Sequence, residues 1–363
     1  MKTVCLVMVV CNRAAVVGRC LNSAKDVIDH WVICDSGSTD GTQDIIREAL
    51  REIPGTLHEI PRMDVAPALT KALCLARGNA EYHLLLDPNL EVRGGAAFRE
   101  KLGADSYLVK EEGQFECWVE RLISDRHEWR YAGLTRQFIQ SMTAMTREKL
   151  LELSVKRQTP TAASKDDIQS EIELLKESIR RGSNVARATF YLAQAFRDLG
   201  NLPQAIELYE KRAAMGGWDE EVWYSLYQVA SLQQRLGVAW LLVLNQYLRA
   251  YQFRPSRIEP LFHIAKYYRE TEQYHLGYLF SRTAIEAAYP DDLLFIERGT
   301  YESDLAREYV TCCRHLGMEP EREGPECSQA GIPSGFRIPL GASGDARNGL
   351  AFGDPAACQT LRS

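Results

Sequence analysis

The stretch Trp31–Thr42, WVICDSGSTDGT, admits few folds. Its apolar start, Trp31, Val32 and Ile33, reads as a short buried strand. Asp35 ends that strand, and Ser36, Gly37, Ser38 and Gly41 supply turn chemistry. Thr39 or Asp40 then caps a helix that begins near Thr42 and runs through QDIIREALRE. A strand that turns at once into a helix delivers Asp35 to the carboxyl edge of a sheet, where open α/β sheets bind ligands. A carboxylate there accepts hydrogen bonds from a base N–H or a ribose hydroxyl. The same pattern also describes an ordinary strand–helix turn with a solvated aspartate.

The flanking residues build a larger unit. Lys2–Val10, KTVCLVMVV, is a first strand with Asn12 at its end, and the helix AVVGRCLNSAKDVID returns the chain to the strand of Asp35. A short strand within 53–63, a helix over 64–77 stopped by Gly78, and a strand over 81–86 follow. This unit resembles the opening of family 2 glycosyltransferases. Asn12, Asp35, Gly37, Ser38, Asp40, Gly41 and Thr42 match that family's pattern, while Arg13 stands where an acid is usual. The resemblance implies an α/β GT-A fold that binds a nucleotide-diphospho-sugar donor. It places Asn12, Asp35, Gly37, Ser38 and Asp40 around the nucleotide.

It also implies a strand ending in Asp-x-Asp, whose carboxylates hold Mn²⁺ or Mg²⁺ against the diphosphate. Here the residues are Asp87, Pro88 and Asn89, with Glu91 further on. Asp87 and Asn89 are the candidate metal ligands, with one charged donor between them. Leu69 and Thr70, behind Pro67, stand where an Arg-Asn pair would face the diphosphate. Leu122–Gly133, LISDRHEWRYAG, resembles the segment leading to the acceptor side, which makes Trp129, Arg136 and Gln137 the acceptor-side candidates. The family continues to a His-Glu pair; Arg136 and Gln137 stand there instead, and neither is a general base. Asp125 or Glu128 could substitute as base, and Arg130 or Arg136 could face the diphosphate; each is also simply a surface charge.

Residues 94–128 are expected to hold further strands, with Ser106–Lys110 and Phe115–Ser124 as a hairpin. Met142–Leu153 reads as a helix. The linker falls at 158–165, which separates a first domain over 1–157 from a second over 166–318. In the second half Ala193, Ala230 and Ala265 recur 37 and then 35 residues apart, and Leu199-Gly200 and Leu236-Gly237 repeat with them. Tyr191, Ala193, Gly200, Ala205 and Tyr209 fit the tetratricopeptide pattern of stacked helix–turn–helix units. Helices are expected at 166–181, 184–199, 202–215, 219–236, 238–252, 257–271, 274–288 and 301–316. Stacked pairs leave a concave surface whose default use is to bind a peptide or protein. Trp218, Trp223, Tyr224 and Tyr227 would stack on a sugar, hold a peptide or form the core between repeats. With Pro290–Arg298, PDDLLFIER, this segment looks like bacterial-type fusions of family 2 glycosyltransferases to such repeats. Residues 319–363, rich in Gly, Pro, Ala and Ser, read as a disordered tail.

A chain of 363 residues suits two domains, and 45% hydrophobic content suffices for their cores. Net charge is −6 without a basic block, which argues against a nucleic-acid partner. No apolar run reaches the roughly 18 residues of a transmembrane helix. The N-terminal apolar run reads as a strand, not a signal peptide. Ten cysteines lack zinc spacing and read as reduced thiols of a cytoplasmic protein, with Cys5, Cys34 and Cys74 in core-like segments. Two readings follow. One is transfer of a sugar from a nucleotide-diphospho-sugar to a peptide, protein or glycan acceptor presented by the repeats. The other is a catalytically degenerate relative that acts as a repeat-based protein-binding scaffold. Beside these two stands a nucleotide-binding regulatory protein that keeps the Asp35 pocket without the metal.

Overall fold

The structure, a computed structural model, describes residues 1–113, 115–133, 137–158 and 165–320. Its first half alternates β1 (Val4–Val10), α1 (Ala14–Ala24), β2 (His30–Asp35), α2 (Thr42–Ala49), β3 (Gly55–Glu59), α3 (Val65–Ala76) and β4 (Tyr82–Leu85). These four strands are parallel, in the order β3-β2-β1-β4. Leu6, Met8 and Val10 of β1 share a core with Val17, Cys20 and Leu21 of α1. Cys5 and Val7, pointing the other way, pack with Ala68, Ala72 and Ala76 of α3. Burial on both faces is why β1 is apolar throughout instead of alternating. Trp31 lies so close to Gly55 that a Cβ there would sit 2.3 Å from its ring.

β5 (Leu90–Gly94), β6 (Ser106–Glu112), β7 (Cys117–Ser124) and a long later strand, β10 (Arg147–Arg157), complete an eight-stranded mixed sheet, β3-β2-β1-β4-β7-β6-β10-β5. A separate hairpin of β8 (Arg130–Ala132) and β9 (Phe138–Gln140) sits beside α3. β10 corrects the expected helix at 142–153. Its register slips between Leu150 and Ser154. The bulge buries both Leu150 and Leu153, three residues apart as on a helix, before strand alternation resumes at Val155.

The second half is a helical array: α4 (Lys165–Arg180), α5 (Val185–Asp198), α6 (Leu202–Ala214), α7 (Asp219–Arg235), α8 (Trp240–Phe253), α9 (Glu259–Glu270), α10 (Tyr274–Ile285) and α11 (Leu305–His315). A π-turn at Thr300–Asp304 leads into α11. Ala193, Ala230 and Ala265 are fully buried, as close helix approach requires. Gly200 and Gly237 adopt the left-handed conformation that ends α5 and α7. Trp223, Tyr224 and Tyr227 are core residues. Trp223 stacks on Tyr227 at 5.3 Å and carries the Arg257 guanidinium at 3.8 Å on its ring. Trp218 stays partly exposed.

The two halves meet. Glu116 and Ile296 form an antiparallel bridge, the Trp118 N–H donates to Leu293 O, and Lys149 pairs with Asp291. Residues 159–164 of the expected linker and 321–363 of the expected tail lie outside the described residues. Cys5 and Cys34 are buried as expected, but Cys74 faces outward on α3 and is exposed. Burial pushes the Cys5 and Cys20 thiols up to about 12. Among the described residues no helix is long and apolar enough to cross a membrane.

Candidate functional site

The parallel half of the sheet brings two loops to one edge. β1 lies between β2 and β4, with Val10 level with Asp35 and Val7 with Leu85. The β2–α2 turn and the residues after β4 therefore flank the end of β1, where an open α/β sheet places its ligand.

Asn12, Asp35 and Ser38 come together there in one hydrogen-bonded network, Asp40 is bonded beside it to Ala14 and Thr42, and Gly37, at φ +94°, shapes the turn between Asp35 and Ser38. Asp35 is completely buried. Its carboxylate accepts from Ser38 N at 3.0 Å, Ser38 Oγ at 2.5 Å and Gln43 Nε2 at 2.6 Å. Asn12, in a left-handed conformation, donates its N–H to Ser38 Oγ and accepts from Thr39 N, both at 2.9 Å. Asp40 accepts from Ala14 N at 3.0 Å and from Thr42 N at 3.1 Å. The Thr42 hydroxyl, with the amides of Thr42 and Ala14, holds the exposed Asp40 carboxyl below its usual range. Gly41, at φ +87°, precedes α2, and any side chain there would be strained. The motif thus ties the ends of β1 and β2 to the start of α2. The Asp35 oxygens are turned inward onto the protein's own donors.

The residues after β4 are tied to arginines. Arg121 of β7, almost fully buried, donates to Asp87 Oδ2 at 3.3 Å, Glu111 Oε2 at 3.0 Å and Leu85 O at 3.3 Å. Arg157 at the end of β10 holds Glu111 Oε1 at 2.6 Å and Asn89 Oδ1 at 3.3 Å. Burial alone would lower the Arg121 pKa, but Asp87 and Glu111 more than offset it and raise it. A divalent ion needs several free oxygen donors. Here the oxygens of Asp87, Asn89 and Glu111 face two guanidinium groups. Among the described residues no cluster of three or more His, Cys, Asp or Glu side chains is placed to hold a metal. The donor set does not fit Mn²⁺ or Mg²⁺.

The acceptor-side candidates are dispersed. Trp129 is half-buried, spends its indole N–H on Ser124 O at 2.8 Å and meets His127 edge-on. Gln137 is half-buried just before β9, and Arg136 lies outside the described residues. Asp125 pairs with buried His83 at 2.8 Å and accepts from Gly78 N; Glu128 pairs with Arg77 at 2.9 Å. Burial, opposed by Asp125, keeps His83 below the ordinary histidine range. Thr70 accepts from Tyr131 N and so pins the β8–β9 hairpin to α3.

Sequence reasoning missed Gln43, Glu111, Arg121 and Arg157. Arg121 left one trace, a charge set between Val119 and Leu122-Ile123 in a strand, which burial obliges to find a partner.

An α/β domain with this sheet order and this edge, joined to a helical array, gives the chain a GT-A-like fold followed by helical repeats. The chain carries a family 2 glycosyltransferase domain at its N-terminus, followed by tetratricopeptide-type repeats: residues 5–96 match the family model Glycosyl transferase family 2. A TPR repeat-containing protein of Synechococcus elongatus is 25% identical over 311 residues, covering 79% of this chain and 76% of that protein. Among solved structures, S. aureus TarS 1-349 in complex with UDP is 13% identical, with a TM-score of 0.36, over 65% of this chain and 92% of that one. Against a longer TarS structure the match covers 54% of that chain. A tetratricopeptide repeat protein from Parabacteroides merdae is 19% identical with a TM-score of 0.33, over 42% of this chain and 55% of that one.

Proposed function

We propose that this glycosyltransferase-like protein does not activate a sugar donor with a divalent metal and works as a protein-binding scaffold built on its repeats. The observation that carries this reading is Arg121, buried between Asp87 and Glu111, where a metal-dependent enzyme needs its cation. Arginine stays protonated, so the site keeps a fixed positive charge whose partners are already in place. The candidate bases support the same reading, since Asp125 and Glu128 each hold a cationic or hydrogen-bonding neighbour.

The test is release of nucleoside diphosphate from a panel of sugar nucleotides by the full chain, with and without Mn²⁺. Release should match the protein-free blank under both conditions. Metal-dependent release that disappears in Asp87→Asn would overturn the reading. It would establish instead the family's own chemistry, transfer from a nucleotide-diphospho-sugar to an acceptor. The well-formed turn from Asn12 to Thr42 is what favours that second reading.

A further inference from the structure

The inner face of the repeat array is already filled. After α10 the chain runs back across α5, α7 and α9, the first helices of three successive pairs, before it enters α11. Phe295 sits 4.6 Å from the Tyr224 ring and 6.3 Å from that of Phe190. Glu220 accepts both the Leu293 and Leu294 N–H groups, at 2.7 and 2.8 Å. Arg257, completely buried, donates to Leu294 O, Phe295 O and the Asp292 carboxylate. Arg254 holds the same carboxylate at 2.8 Å, and Tyr227 donates to Glu297 at 2.5 Å, with His263 beside it.

These are the terms on which a groove captures an extended peptide. Fixed side chains satisfy its main chain, and separate pockets take its side chains. Here the pockets are a cationic pair, an aromatic cup and a tyrosine–histidine pair. Phe295 reaches the cup through a left-handed backbone, φ +49°, rare for an aromatic residue. The same segment bonds to Glu116 and Trp118 of the glycosyltransferase-type domain.

We propose that this groove is a peptide site held shut in cis by residues 290–298. From a partner it takes a bent, non-helical segment with an acid, an aromatic residue three positions later and a second acid two positions beyond. A segment on the same chain acts at an effective concentration in the millimolar range, so a free competitor enters only when it matches that figure or the strap is weakened. Entry releases Glu116 and Trp118, and so reports occupancy of the repeats to the other domain. This deepens the scaffold reading, and the two fail separately: metal-dependent turnover would end that reading and leave the groove untouched.

The probe is a fluorescent peptide of residues 289–298, titrated into the full chain. Phe295→Ala should bind it about 100-fold more tightly than the unaltered chain does, and a peptide carrying the same Phe→Ala change should not bind. In the unaltered chain, millimolar peptide should speed hydrogen exchange at Leu293, Leu294 and Ile296 and leave α7 protected. A folded Phe295→Ala protein that ignores the peptide would overturn the proposal. Should that variant not fold, exchange decides: strap amides that stay protected in millimolar peptide overturn it equally.

Discussion

With no exposed surface and three donors on its carboxylate, Asp35 acts as the internal fastener of the β2–α2 turn. Truncating it leaves the half-buried Ser38 and Gln43 without their acceptor. Asp35→Ala should therefore cost about 2 kcal/mol in urea unfolding of the full chain. An effect below about 0.5 kcal/mol, the size of an ordinary surface change, would mean that the turn holds without it. Arg121 and Asp87 should behave unequally although they touch. Arg121→Met strands Glu111, only 14% exposed in its side chain, and should cost about 3 kcal/mol, the low end for a broken buried pair, because Arg157 still holds Glu111. Asp87→Asn removes a carboxylate that is 52% exposed and should stay within about 1 kcal/mol. Equal losses in the two variants would contradict this division. The Asp35 turn was legible in the sequence because turn chemistry is local. The arginine pair was not, because Arg121 and Arg157, on β7 and β10, meet partners from β4, β6 and the approach to β5, and no local rule says which carboxylate meets which guanidinium.

Elements follow the same division. The repeat helices were legible from apolar periodicity and from their terminal glycines, both short-range signals. β10 was misread because its bulge spaces the buried residues as a helix would. The segment before it is anchored by Asp105, whose carboxylate accepts from Met145 N at 2.9 Å and Thr146 N at 3.0 Å and pairs with His127 at 2.8 Å. Burial works to raise the Asp105 pKa, and these hydrogen bonds outweigh it, holding the group well below the usual carboxylate range. A depressed folded pKa contributes stability that is fully present above the unfolded value, about 3.9, and is lost as pH falls through the folded one. Melting temperature should drop on acidification below about pH 4, and Asp105→Asn should flatten that drop while lowering stability at pH 7. A variant with the full acid sensitivity of the unaltered chain would assign the effect to other carboxylates.

At the scale of the whole molecule, the segment from α10 to α11 decides whether the chain behaves as one body or two. Its composition, PDDLLFIER, marks it as neither helix nor strand, and its place in the groove depends on helices far away in sequence. α7 carries the consequence: Glu220 through Ala230 are buried without a break, so the helix has no solvent face there. A helix buried all round needs cover on every side. The strap covers one of them while its backbone pairs with Glu116 and Trp118. Domains joined by a short linker usually unfold independently unless a large or well-packed interface couples them. Calorimetry of the unaltered chain should therefore give a single transition. Phe295→Ala removes the half-buried ring from the aromatic cup, at a cost of about 2–3 kcal/mol, below the range for a fully buried phenylalanine, and loosens both attachments at once. Two transitions should then separate, the earlier one carrying most of the helical signal in circular dichroism. One undivided transition in the variant, shifted or not, would mean that the halves are coupled through Lys149–Asp291 and their remaining contacts, with the strap only resting between them.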